Sequence, residues 1–120
     1  GYAPYGDIYA DIEKFAFFSK AVLSSLPLID FRPDIIHCHD WQTGLIPVFL
    51  DNFRYGNEYY RGIKTIMTIH NLKFQGTWDT KRVRDITGLP QYYFVPDKVE
   101  AYKDANYLKG GIVYADRILP

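Results

Sequence analysis

The seven residues from Ile63 to Ile69, IKTIMTI, constrain this chain more than any other segment. They are rich in β-branched side chains and almost free of charge, the composition of a strand buried in a parallel sheet. A shorter run of the same kind, Asp34 to Cys38 (DIIHC), precedes it, and Arg117 to Leu119 begins a third near the end of the chain. Between the first two, Trp41 to Phe53 has a helical pattern with Leu45, Val48 and Phe49 on one side. Pro47 lies inside that stretch and predicts either a kink or a helix that starts close to it. Upstream, Ile8, Ile12, Phe15, Val22 and Leu26 recur at spacings of three, four or their sum, which marks an amphipathic helix from about Asp7 to Ile29. Pro33 bounds that helix.

The remaining segments are connections and two further helices. Arg54 to Gly62 is polar, aromatic and glycine-containing, and reads as a connection. His70 to Asp79 has no period and reads as a loop. Lys81 to Ile86 is a short helix, Gly88 to Asp104 with Pro90 and Pro96 is irregular, and Asn106 to Tyr114 is a helix. Strand, helix and strand in this order predict an α/β fold with parallel strands and flanking helices. Ligands of such sheets bind beyond the C-terminal ends of the strands. That rule selects two places, His37 to Trp41 and His70-Asn71.

Charge narrows the function classes. Fourteen basic residues balance fourteen acidic ones, so the basic excess of a nucleic-acid binder is missing. No apolar run approaches the ~18 residues that span a bilayer, and the N-terminus lacks the pattern of a signal peptide. A single cysteine, Cys38, forms no internal disulfide and suits a reducing compartment. Eleven Tyr, eight Phe and two Trp serve either to fill a core or to stack on sugars.

Three segments hold residues able to do chemistry. In HCHDWQTGL, His37 to Leu45, Asp40 follows a strand and precedes a helix. It has two readings: an N-cap that accepts hydrogen bonds from the first helical turn, or a carboxylate at the mouth of the sheet that accepts sugar hydroxyls or supports positive charge. His37 and His39 share a strand face. They make half a metal site at most and need a third ligand such as Asp40 or His70. The reading adopted is no metal, with one histidine buried and hydrogen-bonded and the other ordering the site. In TIHNLKFQG, Thr68 to Gly76, His70 ends the apolar strand and Asn71 suits a turn. In NYLKGGIVYADRI, Asn106 to Ile118, Gly110 and Gly111 cost a helix about 1 kcal/mol each relative to Ala, which points to close approach of another backbone. Neither GxGxxG nor GxxxxGK[ST] occurs in the chain.

Together these segments resemble the bacterial glycogen synthases and plant starch synthases. The matching stretches are Glu13 to Leu23 (EKFAFFSKAVL), Pro33 to Leu45 (PDIIHCHDWQTGL), Thr68 to Gly76, Leu89 to Phe94 and Asn106 to Asp116. Five motifs in one order cover nearly the whole chain. The resemblance implies part of the N-terminal, acceptor-side Rossmann-like domain of a two-domain, GT-B type glycosyltransferase. It implies a retaining transfer of glucose from ADP-glucose to the non-reducing end of an α-1,4-glucan. It implies no metal and no cofactor beyond that donor, and a cytoplasmic enzyme in bacteria or a plastid one in plants. Asp40 and His70 are then the catalytic residues, with the backbone carbonyl of His70 facing charge at the anomeric carbon. Trp41 and Asn71 bind substrate.

The resemblance also sets what lies outside these 120 residues. The family's KxGGL donor loop precedes this stretch, since Lys109-Gly110-Gly111-Ile112 matches the later LKGGI helix instead. The C-terminal nucleotide-binding domain follows it. The stretch alone is therefore expected to be inactive. The alternatives are another GT-B glycosyltransferase, such as a sucrose synthase, and a non-catalytic glucan-binding module.

Overall fold

The structure is a computed structural model that describes residues 8–120. Its first helix, α1, runs Ile8–Ser25; the expected start at Asp7 lies outside the described residues. β1 (Ile35–His39), α2 (Leu45–Phe53) and β2 (Lys64–Thr68) follow. Then come β3 (Thr77–Asp79), α3 (Thr80–Thr87), β4 (Glu100–Ala101), β5 (Asp104–Asn106), α4 (Tyr107–Tyr114) and β6 (Arg117–Leu119). β1, β2 and β6 form a parallel sheet with β2 in the middle. All three expected strands are present and parallel. Asp116 fixes where β6 joins: its carboxylate accepts from the Thr65 N–H at 2.8 Å, and its own N–H donates to the Thr65 carbonyl at 3.0 Å.

Helix α2 packs against both α1 and α4, and Gly111 of α4 lies against Met67 on one face of this sheet. Strand periodicity sends Cys38, Thr65 and Met67 into that core, all buried. The alternate residues Ile35, His37 and His39 lie on the open face and are exposed, and Ile66 and Thr68 beside them are half-buried. β2 thus has the composition of a strand covered on both faces, while the described helices cover one.

α1 buries Ile12, Ala16, Ser19 and Leu23, a stripe rotated from the expected one. Small residues at its centre let α1 lie close to the core. Two tyrosine hydroxyls reach its main chain, Tyr107 donating to the Ile12 carbonyl and Tyr60 to the Leu23 carbonyl, at 2.8 and 2.7 Å. Phe15 instead meets Trp41 edge-on at 5.4 Å. In α2, Pro47 sits in the first turn, where its missing N–H would have no intrahelical partner. The helix starts two residues before it at Leu45, after a separate tight turn at Trp41–Thr43. Leu45 through Leu50 are all buried, so α2 is the central helix.

A small antiparallel sheet, β3–β5–β4, was not expected. Its strands are two or three residues long, too short to show alternation, and they lie in segments read as loop and irregular chain. This sheet carries Asp79 and Asn106, whose side chains accept from Arg82 N–H and Lys109 N–H at 2.9 Å each and so cap α3 and α4. Gly88 ends α3 in the left-handed conformation.

Of the Gly110–Gly111 pair, Gly111 admits another backbone, while Gly110 faces the Val48 and Val99 side chains. A Cβ on Gly111 would lie 3.1 Å from both Cα and O of Gly44, and 2.6 Å from the Met67 terminal methyl. The reverse contact is tighter, since a Cβ on Gly44 would lie 2.1 Å from the Tyr107 carbonyl oxygen. Backbone atoms on both sides leave no flexible end to move aside. Gly44→Ala is therefore expected to lower unfolding free energy by about 3 kcal/mol or more, above the usual overpacking cost. Urea unfolding checks this.

Candidate functional site

The site follows from the register of β1 and β2. His39 pairs with Thr68, so both strands end at the same edge and their next residues are neighbours. The Asp40 N–H extends the ladder by donating to the Thr68 carbonyl at 3.0 Å, and the Ile69 N–H donates to the Leu119 carbonyl at 3.1 Å. Beyond that rung the chain turns sharply. Asp40 has φ 60° and ψ −171°, a conformation adopted almost only by glycine and costing of order 1–3 kcal/mol.

This turn aims the Asp40 carboxylate across the sheet edge, not at the helix that follows. Oδ1 accepts from the backbone N–H of His70 at 2.6 Å and of Asn71 at 3.3 Å. Oδ2 lies 2.9 Å from His70 Nδ1. The N-cap reading of Asp40 is thereby corrected: its side chain makes no capping hydrogen bond, because three donors of the neighbouring loop occupy it. The turn at Trp41–Thr43 is held otherwise. The Thr43 hydroxyl accepts from the His39 N–H at 2.7 Å and donates to the His39 carbonyl at 2.8 Å.

Desolvation pushes the Asp40 carboxyl up, but the His70 and Asn71 hydrogen bonds and the His70 ring outweigh it and hold the carboxyl below its ordinary range. His70 turns Nδ1 to the Asp40 carboxylate, and its side chain is 60% exposed.

The other two histidines join this one. His37 and His39 stack with ring centroids 4.3 Å apart, and His39 stacks on His70 at 5.5 Å with planes 14° apart. His37 Nε2 is anchored at 2.6 Å from the Thr68 hydroxyl. All three histidines of the chain therefore form one column along the open sheet face. The expectation that one of the pair is buried is corrected, since both are exposed. Rings stacked face to face do not converge their nitrogens on a point. Among the described residues no group of three His, Cys, Asp or Glu side chains is arranged to hold a metal ion.

Trp41 and Asn71 serve this arrangement from different sides. The Trp41 ring is 7% exposed, held edge-on by Phe15 and Phe74 with centroids 5.4 and 5.0 Å away. Gly76, at φ 71°, lets the loop close over it; a Cβ there would lie 2.4 Å from the indole. The indole thus props the turn that carries Asp40. Asn71 is exposed, and its side-chain oxygen accepts from the Lys73 N–H at 2.7 Å, the turn role its residue type suggests. Cys38, one residue before the column's centre, points into the core, where burial pushes its thiol up to about 12; it is no nucleophile. The sequence reading did not single out Thr43 and Thr68. The signal was there in part: Thr68 immediately precedes Ile69-His70, and Thr43 follows His39 by four residues.

Beside His70 lies a cavity of about 470 Å³ bordered by Ile69, Leu72 and Ile118. A polar pair at the C-terminal edge of parallel strands, next to an open cavity, is the ligand-binding arrangement of Rossmann-like α/β enzymes. Comparison with known proteins makes this specific. The starch synthase catalytic domain family model matches residues 1–120, and the chain belongs to that family, the glycogen and starch synthase glycosyltransferases.

The chain is 73% identical over 118 residues to the glycogen synthase of Lachnoclostridium phytofermentans and 71% identical to that of Lachnospira eligens. Each match covers 98% of this chain but 25% of the relative, so the chain spans about a quarter of the length of the curated relatives it matches. Among solved structures, the catalytic domain of starch synthase IV from Arabidopsis thaliana, bound to ADP and acarbose, superposes with a TM-score of 0.74 at 27% identity. That match covers 98% of this chain and 23% of the other. The α/β fold with parallel strands and flanking helices matches part of a GT-B glycosyltransferase catalytic domain, as the family resemblance implies.

Two outcomes test this geometry. Asp40→Gly relieves the backbone strain that Asp40→Ala retains, while both lose the same hydrogen bonds. The glycine variant is expected to be the more stable by about 1 kcal/mol, read by urea unfolding. The second concerns pH. Because the folded carboxyl is depressed, its stabilisation is fully present above the unfolded Asp value of about 4 and is lost as pH falls through the lower folded value. The stability gap between wild type and Asp40→Asn should therefore narrow progressively as pH falls below about 4.

Proposed function

We propose that the whole protein of which this chain forms part transfers glucose from ADP-glucose to the non-reducing end of an α-1,4-glucan, with retention of anomeric configuration. The observation that carries this reading is the Asp40–His70 pair, clamped at the C-terminal edge of β1 and β2 beside an open cavity. Relatives named glycogen synthase, and a related catalytic domain bound to ADP and acarbose, support the choice of donor and acceptor. In this reading the chain supplies part of the N-terminal, acceptor-side domain, and the ADP-binding residues belong to a C-terminal domain. The bacterial relatives favour a cytoplasmic enzyme. No described helix is long and apolar enough to cross a membrane.

The residues divide the work. In the transfer, the bond from C1 of glucose to the diphosphate breaks and a bond to the acceptor hydroxyl forms on the same face. The acceptor proton leaves towards the departing phosphate, and positive charge builds on C1. His70 lies at the reacting sugar, its Nε2 accepting from a glucose hydroxyl and its backbone carbonyl facing C1. Asp40 holds the main-chain and ring positions of His70 together, and its negative charge lowers the energy of the cationic transition state. Asn71 offers its side-chain NH₂ to the substrate. Trp41 acts through the turn it supports. The chemistry requires no metal ion and no cofactor beyond the donor.

Kinetics of the full-length enzyme with ADP-glucose and glycogen test this. His70→Ala should lower kcat by about 100-fold or more while changing KM far less, because the charge it stabilises exists mainly in the transition state. A well-folded His70→Ala enzyme with wild-type turnover would sink the assignment. Failure of the wild-type enzyme to incorporate glucose from ADP-glucose would favour the other donors or a binding module.

A further inference from the structure

Asp40 fixes where His70 is held but not how its ring is turned. The ring has one polar contact, Nδ1 to Asp40 Oδ2 at 2.9 Å. That contact leaves the imidazole free to rock about its own line, since the torsion into a flat ring has a broad minimum. The side chain is 60% exposed, so packing on all sides does not set it either. A second contact, against the face of the ring, is needed to define its plane.

His39 makes that contact. Its ring lies 5.5 Å from the His70 ring with the planes 14° apart. It also stacks on His37 at 4.3 Å and 29°, so His39 is the middle ring of the column. Among the described residues the His39 ring makes no hydrogen bond, and its partners are these two rings. Its main chain is held from the helix side, where the Thr43 hydroxyl bonds both its N–H and its carbonyl. The far end of the column is anchored as well. Register pairs His37 with Ile66 and His39 with Thr68, so Thr68 is the diagonal neighbour of His37, and its hydroxyl lies 2.6 Å from His37 Nε2.

The core does not call for these residues. His37 and His39 are exposed, while Cys38 between them packs inward. A strand face that needed only to fit its sheet would favour β-branched side chains. Two flat rings and an anchoring hydroxyl, lined up on a third ring, do a different job. We infer that His39, and through it His37 and Thr68, are positioning residues for glucosyl transfer, and that their stack sets the plane of the His70 imidazole. This rests on the proposed function for the reaction; the transmission of ring position along the column does not.

The test uses the full-length enzyme with ADP-glucose and glycogen. His39→Ala removes the middle ring and should lower kcat about 10-fold while both KM values stay within about 2-fold, because a misaimed group costs rate and not ground-state binding. His39→Phe keeps a flat face without the nitrogens and should recover most of that loss. Thr68→Val deletes the anchoring hydroxyl at nearly constant shape and should lower kcat about 3-fold; Thr68→Ser restores the hydroxyl and the rate. The second readout is the His70 ring resonance in proton–carbon NMR spectra, assigned by its absence from His70→Ala. It should move in Thr68→Val, two rings away, and return in Thr68→Ser. Wild-type kcat in His39→Ala overturns the inference. So does an equal loss in His39→Ala and His39→Phe, which would mean that stacking is not what counts. An unmoved His70 resonance in Thr68→Val overturns it too, since the anchor would then not reach the ring. A wild type that transfers no glucose defeats the proposed function, while the resonance still decides whether the column sets His70.

Discussion

The site depends on one register. Pairing His39 with Thr68 in parallel strands ends both at one edge, and only then do Asp40 and the His70–Asn71 loop become neighbours. A shift of one residue would send Asp40 to the other side of the pleat and leave three loop donors without an acceptor. The clamp in turn guards the register, because Asp40 reaches those donors only from the end of this ladder. Behind it, the contact of Gly44 with Gly111 and the Tyr107 carbonyl sets how closely α2 and α4 approach over Met67. Sheet and helix layers are thus tied together directly beneath the turn that carries Asp40.

Much of this was legible in the sequence. Strand composition located β1, β2 and β6, and the rule that ligands bind at C-terminal strand ends brought Asp40 and His70 together before any coordinates. Of the glycine pair, Gly111 meets the expected backbone, and of the two readings of Pro47 the helix start near it holds. Three things were hidden. The stripe of α1 was misplaced because Ala16 and Ser19, neither strongly apolar, form its centre; close helix packing selected small size over hydrophobicity. The β3–β5–β4 sheet was invisible because strands of two or three residues have no period to read. Of the two readings of Asp40, the cap fails because N-cap preference considers only the following helix. The competing donors came from a loop thirty positions away in sequence, which only the sheet topology brings near.

Positive φ at non-glycine residues has two different settings here. At Asp40 the strain has a visible return: three hydrogen bonds depend on the direction in which the turn aims the carboxylate. At Tyr102 no return lies within the described residues, since the side chain touches little of the protein. The same backbone cost is thus offset within the fold at Asp40 and not at Tyr102.

The histidine column bears on how Asp40 and His70 share their work. A general base needs a lone pair free for the proton it removes. Asp40 offers little, with Oδ1 bonded to two amides and Oδ2 to an imidazole, and with a carboxyl held below its ordinary range. Such a group stays ionised and fixed, which suits it to hold a neighbour and to provide constant negative potential. His70 is then positioned on two sides, by Asp40 at Nδ1 and by the His39 ring against its face. His39 is steadied by His37, and His37 by the Thr68 hydroxyl on the central strand. The chain of contacts starts at Thr68 on β2, so the His70 imidazole is referenced to the central strand of the parallel sheet. In the proposed function, where His70 meets charge at one carbon, that rigidity matters more than proton affinity.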